Sequence, residues 1–381
     1  MGQDRDIWTS VREEFPVASR YIYFNHAAIS PLSTRAQRAL DALSDLLARN
    51  GVLAEDEIMG MVSRIRANAA KLIGAAPDEI AFVKNTTQGV LIAAGAIRWR
   101  EGDNVVMPAI EFPANVYPWM GLQKLGVELR LVEPEDGAVT ADMLTDVCDR
   151  RTLAVTVSQV QFSTGYRIDL DELGGFCRDR GIYLHVDAIQ ALGAMTIDVE
   201  RYGIDFLSAG GHKWMLALPG VGLFYCRKGL YDELDIPNPG WTGVEDSRNF
   251  LDYRFVYRNE AARFEEGSLN LHGITALGVS IERLLEIGPA RVEERILHLT
   301  GLLAAGLVDR GFSVTSSLED GERSGILCFE HPARDSESIF TRLREAGVIC
   351  SLREGAVRLS PHMYNTEEEC GRLLALLEQA R

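Results

Sequence analysis

Asp205-Phe-Leu-Ser-Ala-Gly-Gly-His-Lys-Trp-Met-Leu-Ala-Leu-Pro-Gly-Val-Gly-Leu-Phe-Tyr-Cys226 contains two apolar runs, Asp205 to Ala209 and Val221 to Cys226, that read as buried strands. Gly210, Gly211, Pro219, Gly220 and Gly222 break the backbone between them, which places Lys213 in a tight turn rather than on a solvated helix face. Trp214, Met215 and Leu216 follow and imply an apolar wall. Removal from water favours the neutral amine, the form a Schiff-base lysine needs. The alternative is a lysine that snorkels out of a strand end. Partners elsewhere in the chain distinguish the two.

Outward from this turn the chain alternates. Ile80 to Val83, Asn104 to Pro108, Glu128 to Val132, Leu153 to Val160, Ile182 to Val186, Phe206 to Ala209 and Val221 to Tyr225 are the strand candidates. Helical spacing over Gln88 to Ile97, Ala114 to Leu125, Ala141 to Cys148 and Leu170 to Arg180 fills the gaps between the earlier strands. The pattern predicts an α/β fold with a mostly parallel seven-stranded sheet covered by helices, its active residues in loops at the strand ends. Before it, helices are expected over 33–49 and 58–73, and a short strand at Tyr21 leads into a loop. Pro237-Asn-Pro-Gly240 reads as a hinge, and beyond Phe264 the helical patterns Ile274 to Ile287, Arg291 to Arg310, Glu337 to Ala346 and Glu367 to Gln379 alternate with short strands near Ile326 to Glu330, Val348 to Ser351 and Val357 to Ser360. These divisions predict an N-terminal arm over 1–20, a large domain over 21–250 and a smaller C-terminal α+β domain over 251–381.

Composition bounds the function. The chain has 381 residues, and a net charge of -16 argues against a nucleic-acid partner, which would need clustered cations. Six cysteines are dispersed without a Cys-x-x-Cys pair, so neither a disulfide framework nor a metal site is expected. A reducing, cytoplasmic setting follows. No secretory leader and no apolar run of membrane-spanning length is read.

The strand-end loops supply partners for Lys213. Asp187 closes the run His185-Val-Asp187 in apolar surroundings, where a carboxylate needs a cation such as a protonated pyridine nitrogen, or else caps the next turn. Asn85-Thr-Thr-Gln-Gly89 opens a helix, so Thr86 and Thr87 suit a phosphate, although plain N-capping explains them equally. Glu111-Phe112-Pro113 offers an aromatic plate, or an ordinary core residue.

In this order the motifs resemble the class V aminotransferase and cysteine desulfurase family of fold type I pyridoxal-phosphate enzymes. The likeness runs from about Tyr21 to the C-terminus. It rests on Tyr23-Phe-Asn-His-Ala-Ala-Ile-Ser-Pro31, Asn85-Thr-Thr-Gln-Gly89, His185-Val-Asp-Ala-Ile-Gln190, Gly211-His-Lys213, Arg263-Phe-Glu-Glu-Gly267 and Arg358-Leu-Ser-Pro-His-Met-Tyr-Asn-Thr366. The resemblance implies pyridoxal 5'-phosphate as cofactor, with Lys213 as its Schiff-base lysine and proton carrier. Asp187 would hold the pyridinium N–H, Gln190 the phenolic oxygen, and Thr86, Thr87 and His212 the phosphate. Phe112 would stack on the ring, where desulfurases usually place a His. Arg358 would fork onto the substrate carboxylate, with Asn25 and His26 on the substrate side. The family's homodimer would bring Thr242 to the neighbouring subunit's phosphate.

Departures from the family narrow the reaction. Gly210 stands where a phosphate-binding Ser is common, and Val160-Gln-Phe-Ser-Thr-Gly165 looks like the kynureninase and epimerase branches. Cys350 falls inside an apolar strand close ahead of Arg358, which leaves little room for a persulfide loop. An amino-acid aminotransferase acting through an external aldimine and Cα deprotonation is therefore the first expectation. A carbon-sulfur β-lyase is the second. An isopenicillin-N-epimerase-like enzyme, which needs a second acid such as His26 or Tyr117, is the third. A noncatalytic scaffold fits poorly with the joint presence of Lys213, Asp187 and Arg358. Trp119, Trp241, Arg353 and His362 are left to line the pocket or merely to pack.

Overall fold

The computed structural model describes residues 2–378. The chain opens with α1 (Gly2–Glu13), strand β1 (Ile22–Tyr23) and helices α2 (Thr34–Asn50) and α3 (Glu55–Ile73). Next come β2 (Ile80–Val83), α4 (Thr86–Ala96), β3 (Asn104–Pro108), α5 (Tyr117–Met120), β4 (Glu128–Val132), α6 (Ala141–Asp146), β5 (Thr152–Ser158), α7 (Leu170–Arg180), β6 (Tyr183–Asp187), β7 (Phe206–Gly210) and β8 (Gly222–Cys226). The C-terminal part holds α8 (Leu271–Ile287), α9 (Pro289–Val308), β9 (Ser313–Val314), β10 (Leu327–Glu330), α10 (Ser336–Glu345), β11 (Val348–Ile349), β12 (Ser351–Arg353), β13 (Ala356–Leu359) and α11 (Glu367–Glu378). The helix expected over 367–379 ends at Glu378, and Gln379 lies outside the described residues.

The large sheet has seven strands in the order β2-β8-β7-β6-β5-β3-β4. Only β8 runs antiparallel to its neighbours. Strands covered on both faces must be apolar on both, and the alternation is direct. Val105, Met107, Phe206 and Phe224 face one helical layer with α4, while Val106, Leu207 and Leu223 face the other with α7 and α8. The carboxyl ends of β2, β3, β5, β6 and β7 consequently share one edge, and their loops carry the candidate residues.

Two expectations change. The single helix expected over 114–125 is instead a 3-10 turn at Pro113–Asn115, the one-turn α5 and a second 3-10 turn at Gly121–Leu125. Pro118 has no N–H for the helical ladder and Gly121 and Gly126 loosen the rest, so a continuous helix is not sustained. The strand expected over 348–351 divides at Cys350: β11 pairs in parallel with β1, and β12 pairs antiparallel with β13. The N-terminal segment thus docks on the C-terminal part. Phe15 stacks on Tyr364 at 4.1 Å between ring centroids, and Arg12 pairs with Glu369 at 2.8 Å. No helix of the described residues is long and apolar enough to cross a membrane.

Candidate active site

The Lys213 turn leaves β7 at Gly210 and is tied on several sides. Gly211 N–H donates to the Val221 carbonyl at 2.8 Å, Ala217 N–H to the Gly211 carbonyl at 2.9 Å and Leu216 N–H to the Lys213 carbonyl at 3.0 Å. Leu216 has φ 54, a left-handed conformation that a branched side chain adopts only when its surroundings impose it. Ser280 on α8 holds it there by donating to the Leu216 carbonyl at 3.0 Å. Trp214 is fully buried; its indole N–H donates to Gln190 Oε1 at 3.0 Å, and its carbonyl accepts from His362 Nε2 at 3.0 Å. A Cβ at Gly193 would stand 2.3 Å from the Trp214 carbonyl oxygen, and one at Gly325 2.4 Å from the indole, so both approaches require glycine.

The Lys213 amine has no hydrogen bond or ion pair among the described residues. Its Nζ lies 5.6 Å from the centre of the Phe112 ring, which in turn meets Phe162 edge-on at 5.2 Å. Burial is the main reason its pKa falls from 10.5 to about 8; Asp187 opposes the fall, and Arg358 and Arg353 add to it. An unpartnered, readily deprotonated amine against an aromatic face is a nucleophile and base in waiting.

Asp187 ends β6 and is buried. One carboxylate oxygen accepts the Ile189 N–H at 2.9 Å, and no hydrogen bond reaches the other among the described residues. Burial, aided by the nearby charge of Glu111, raises its pKa to about 7, against the Ile189 bond and the pull of Lys213. Glu111 went unrecognised in the sequence, where it was only the residue before Phe112. It is buried, accepts the Ser158 N–H at 2.6 Å and the Gln161 amide at 3.0 Å, and also takes the Ser158 hydroxyl. Beneath it, His185 is fully buried between Thr156 (2.8 Å) and Ser208 (3.0 Å), and burial lowers its pKa to about 3.

At the start of α4, the Asn85 side chain caps Gln88 N–H at 2.9 Å, which leaves the N–H groups of the first turn, at Thr86 and Thr87, open to an anion. Thr86 Oγ1 accepts the Gly210 N–H at 2.9 Å, so its own O–H is free to donate. This bond joins the helix start to the lysine turn. His212 is half-buried, and burial followed by Lys213 lowers its pKa. Gly210 supplies no hydroxyl of its own, and a Cβ there would sit 3.2 Å from the His212 ring and from Ile189, which would have to shift by a few tenths of an ångström to admit one. Gln190 donates to the Ala27 carbonyl at 3.1 Å and Ser30 N–H to the His212 carbonyl at 2.8 Å, which brings the 25–30 loop against the site.

On the far side, Arg358 is fully buried on β13. Its Nε donates to Ser351 Oγ at 3.2 Å and Nη1 to the Phe162 carbonyl at 2.5 Å, and it has no carboxylate partner among the described residues. Burial, helped by Arg353, lowers its pKa to about 10. A buried guanidinium without an anion is costly, and an incoming carboxylate would relieve it. Asn25 bridges to Ser360 through the backbone, and its buried Oδ1 has no hydrogen-bond partner among the described residues.

Other candidates stand differently. His26 is fully buried, with Nδ1 on the Ser360 carbonyl and Nε2 on the Tyr364 hydroxyl, both at 2.9 Å, so the ring offers no free acid or base. Thr242 donates to the Glu265 carbonyl at 2.6 Å, and among the described residues no hydrogen bond joins it to the Lys213 turn. Cys350 is buried, and burial pushes its thiol up to about 12. Among the described residues no three His, Cys, Asp or Glu side chains converge on a metal position.

The donor set fits pyridoxal phosphate: a free amine, a buried carboxylate with an unpartnered oxygen, and a helix start with open N–H and hydroxyl donors. Comparison with known proteins agrees. The chain is 31% identical, over 97% of both sequences, to a probable cysteine desulfurase of Methanothermobacter thermautotrophicus. It is 27% identical, over 94% of both, to the uncharacterized aminotransferase YcbU of Bacillus subtilis. The apo cysteine desulfurase of Thermococcus onnurineus NA1 superposes with a TM-score of 0.88 at 26% identity, covering 97% of each chain. A family model described as aminotransferase class-V matches residues 22–373. The chain therefore belongs to the class V aminotransferase family of pyridoxal-phosphate-dependent enzymes.

Proposed function

We propose that this enzyme is an amino-acid aminotransferase in which Lys213 moves the Cα proton. The net reaction exchanges the amino group of an α-amino acid for the carbonyl oxygen of an α-keto acid. Pyridoxal phosphate, when bound, supplies the electron sink that makes the Cα–H bond acidic. Lys213, Asp187, Thr86, Thr87, His212 and Gln190 would hold it, and Phe112 would cover its ring. Arg358 binds the α-carboxylate and so fixes which Cα bond faces Lys213. The Nζ takes the proton from Cα and can return it elsewhere, so one base suffices. The observation that carries the reading is the unpartnered, low-pKa Lys213 facing Phe112.

Phe112 has no titratable proton and so cannot itself protonate a leaving group on Cβ, a task that elimination would leave to Lys213. Epimerisation needs an acid on the opposite face, yet His26 has both nitrogens engaged and Tyr117 is 68% exposed. A carbon-sulfur β-lyase is the second reading, favoured by the cysteine desulfurase relatives. The buried Cys350 supports elimination without a protein persulfide. Product analysis tests the choice: keto acid with a keto-acid acceptor supports transamination, whereas pyruvate and sulfide from cysteine support the lyase.

The working unit in this reading is a homodimer. Trp241, Phe250, Leu251, Tyr253, Phe255 and Val256 project large apolar surface from one segment, and Leu251 and Tyr253 are 89% and 90% exposed. Burying that segment against a second copy would bring Thr242 towards the partner's site. Six unpaired cysteines suit a reducing cytoplasm.

A further inference from the structure

The β12–β13 hairpin carries a second guanidinium beside the first. In its register Ser351 faces Arg358 and Arg353 faces Ala356. Successive side chains alternate faces, so Ser351, Arg353, Ala356 and Arg358 all share one. Arg358 shows where that face looks, because it crosses Ser351 to reach the Phe162 carbonyl, and the Phe162 ring meets Phe112 over Lys213. Diagonal neighbours on a hairpin are within reach of long side chains, and like charges so placed repel.

That repulsion is uncompensated among the described residues, in a chain with 55 acidic and 39 basic residues. Arg12 pairs with Glu369, Arg295 with Glu367 and Arg310 with Glu378, whereas neither cation of the hairpin has a carboxylate among the described residues. Among the described residues Arg353 has no carboxylate partner, and its one hydrogen bond runs from Nη1 to its neighbour's carbonyl at Leu352, at 2.8 Å. Arg353 is exposed where Arg358 is buried. The Arg353 charge depresses both Lys213 and Arg358, as a cation facing the same space would.

We propose that Arg353 binds a second carboxylate, on the substrate's side chain, and that the preferred substrates are dicarboxylic α-amino acids. Arg358 takes the α-carboxylate and Arg353 the distal one, and the bound dianion relieves the repulsion between them. This rests on the reading that the site acts on α-amino acids.

The test uses holoenzyme and isosteric pairs, aspartate with asparagine and glutamate with glutamine, with the acid/amide ratio of kcat/KM as readout. One charge-assisted hydrogen bond predicts an acid preference of about 10- to 100-fold in the better pair. Arg353→Gln should collapse that ratio towards one, chiefly through KM for the acid, and Arg353→Lys should keep part of it. Calorimetric titration with glutarate and with butyrate repeats the comparison without turnover, and Arg353→Gln should weaken glutarate more. Equal or better use of the amides by the unaltered enzyme would overturn the assignment, as would an unchanged ratio in Arg353→Gln. Turnover of neutral amino acids in those cases would leave the α-amino-acid reading standing. Silence of every amino acid, in rate and in cofactor absorbance, would overturn both.

Discussion

The protonation state of Lys213 can be measured directly. Competitive labelling of the apoenzyme with acetic anhydride, read by mass spectrometry on the Lys213 peptide against a free amine in the same tube, reports the neutral fraction at each pH. With a pKa of about 8 in place of 10.5, burial makes that fraction at pH 7 about 300-fold larger than for an ordinary lysine. The labelling curve should therefore have its midpoint near 8. The sign follows from the charged form being the one that burial disfavours. Folding pays for a buried cation below pH 8, and that penalty disappears between the folded and unfolded pKa, so stability attributable to this group rises across that window. Two substitutions should move the midpoint in opposite directions. Arg353→Gln removes a neighbouring cation and raises it, whereas Asp187→Asn removes the anion that favours the ammonium and lowers it. A midpoint at or above 10 would refute the desolvated turn. A shift of the same sign in both variants would refute the electrostatic account.

Lys213→Ala should abolish turnover while leaving the circular dichroism spectrum unchanged; a folded variant with retained rate would remove the lysine from the mechanism. Cys350→Ala should keep activity, and a loss as large as that of the lysine variant at unchanged stability would restore a persulfide role. Arg66→Met should lower unfolding free energy by roughly 3 to 5 kcal/mol in urea, because it strands Glu265, which is 7% exposed and also accepts the Phe82 N–H at 2.8 Å. Sedimentation should give a dimer at assay concentration, and Thr242→Ala should loosen cofactor retention; an active monomer would exclude the shared site.

The large sheet was legible because strands buried on both faces are written as short apolar runs, and Ile80 to Val83 and Asn104 to Pro108 form with those bounds. What failed was local continuity. Nothing in Ala114 to Leu125 outweighs Pro118, and nothing in Val348 to Ser351 announces that its two halves have different partners, one of them at the other end of the chain. In the site, motif order brought out Lys213, Asp187, Thr86 and Arg358. Glu111 was missed because its partners, Ser158 at the end of β5 and Gln161 just beyond it, lie on the strand beside β3 in the sheet but 47 and 50 residues away in sequence. Arg353 could be named from sequence, but its alignment with Arg358 depends on the hairpin register.

The pairing of β1 with β11 also governs when the protein can be finished. Ile22 aligns with Val348 and Asn25 with Ser360, so these residues must wait for partners made more than 300 residues later. During synthesis the large sheet can assemble through β8 while the 22–30 segment still lacks its strand partner. The loop that reaches Gln190 and the His212 carbonyl gains its other backbone partners, Ile349 and Ser360, only once the segment holding the C-terminal hairpin is made, the same hairpin that carries Arg358. The placing of Arg358 and the strand pairing of the N-terminal segment therefore depend on the same late-made stretch, and a chain stopped before residue 348 would lack both.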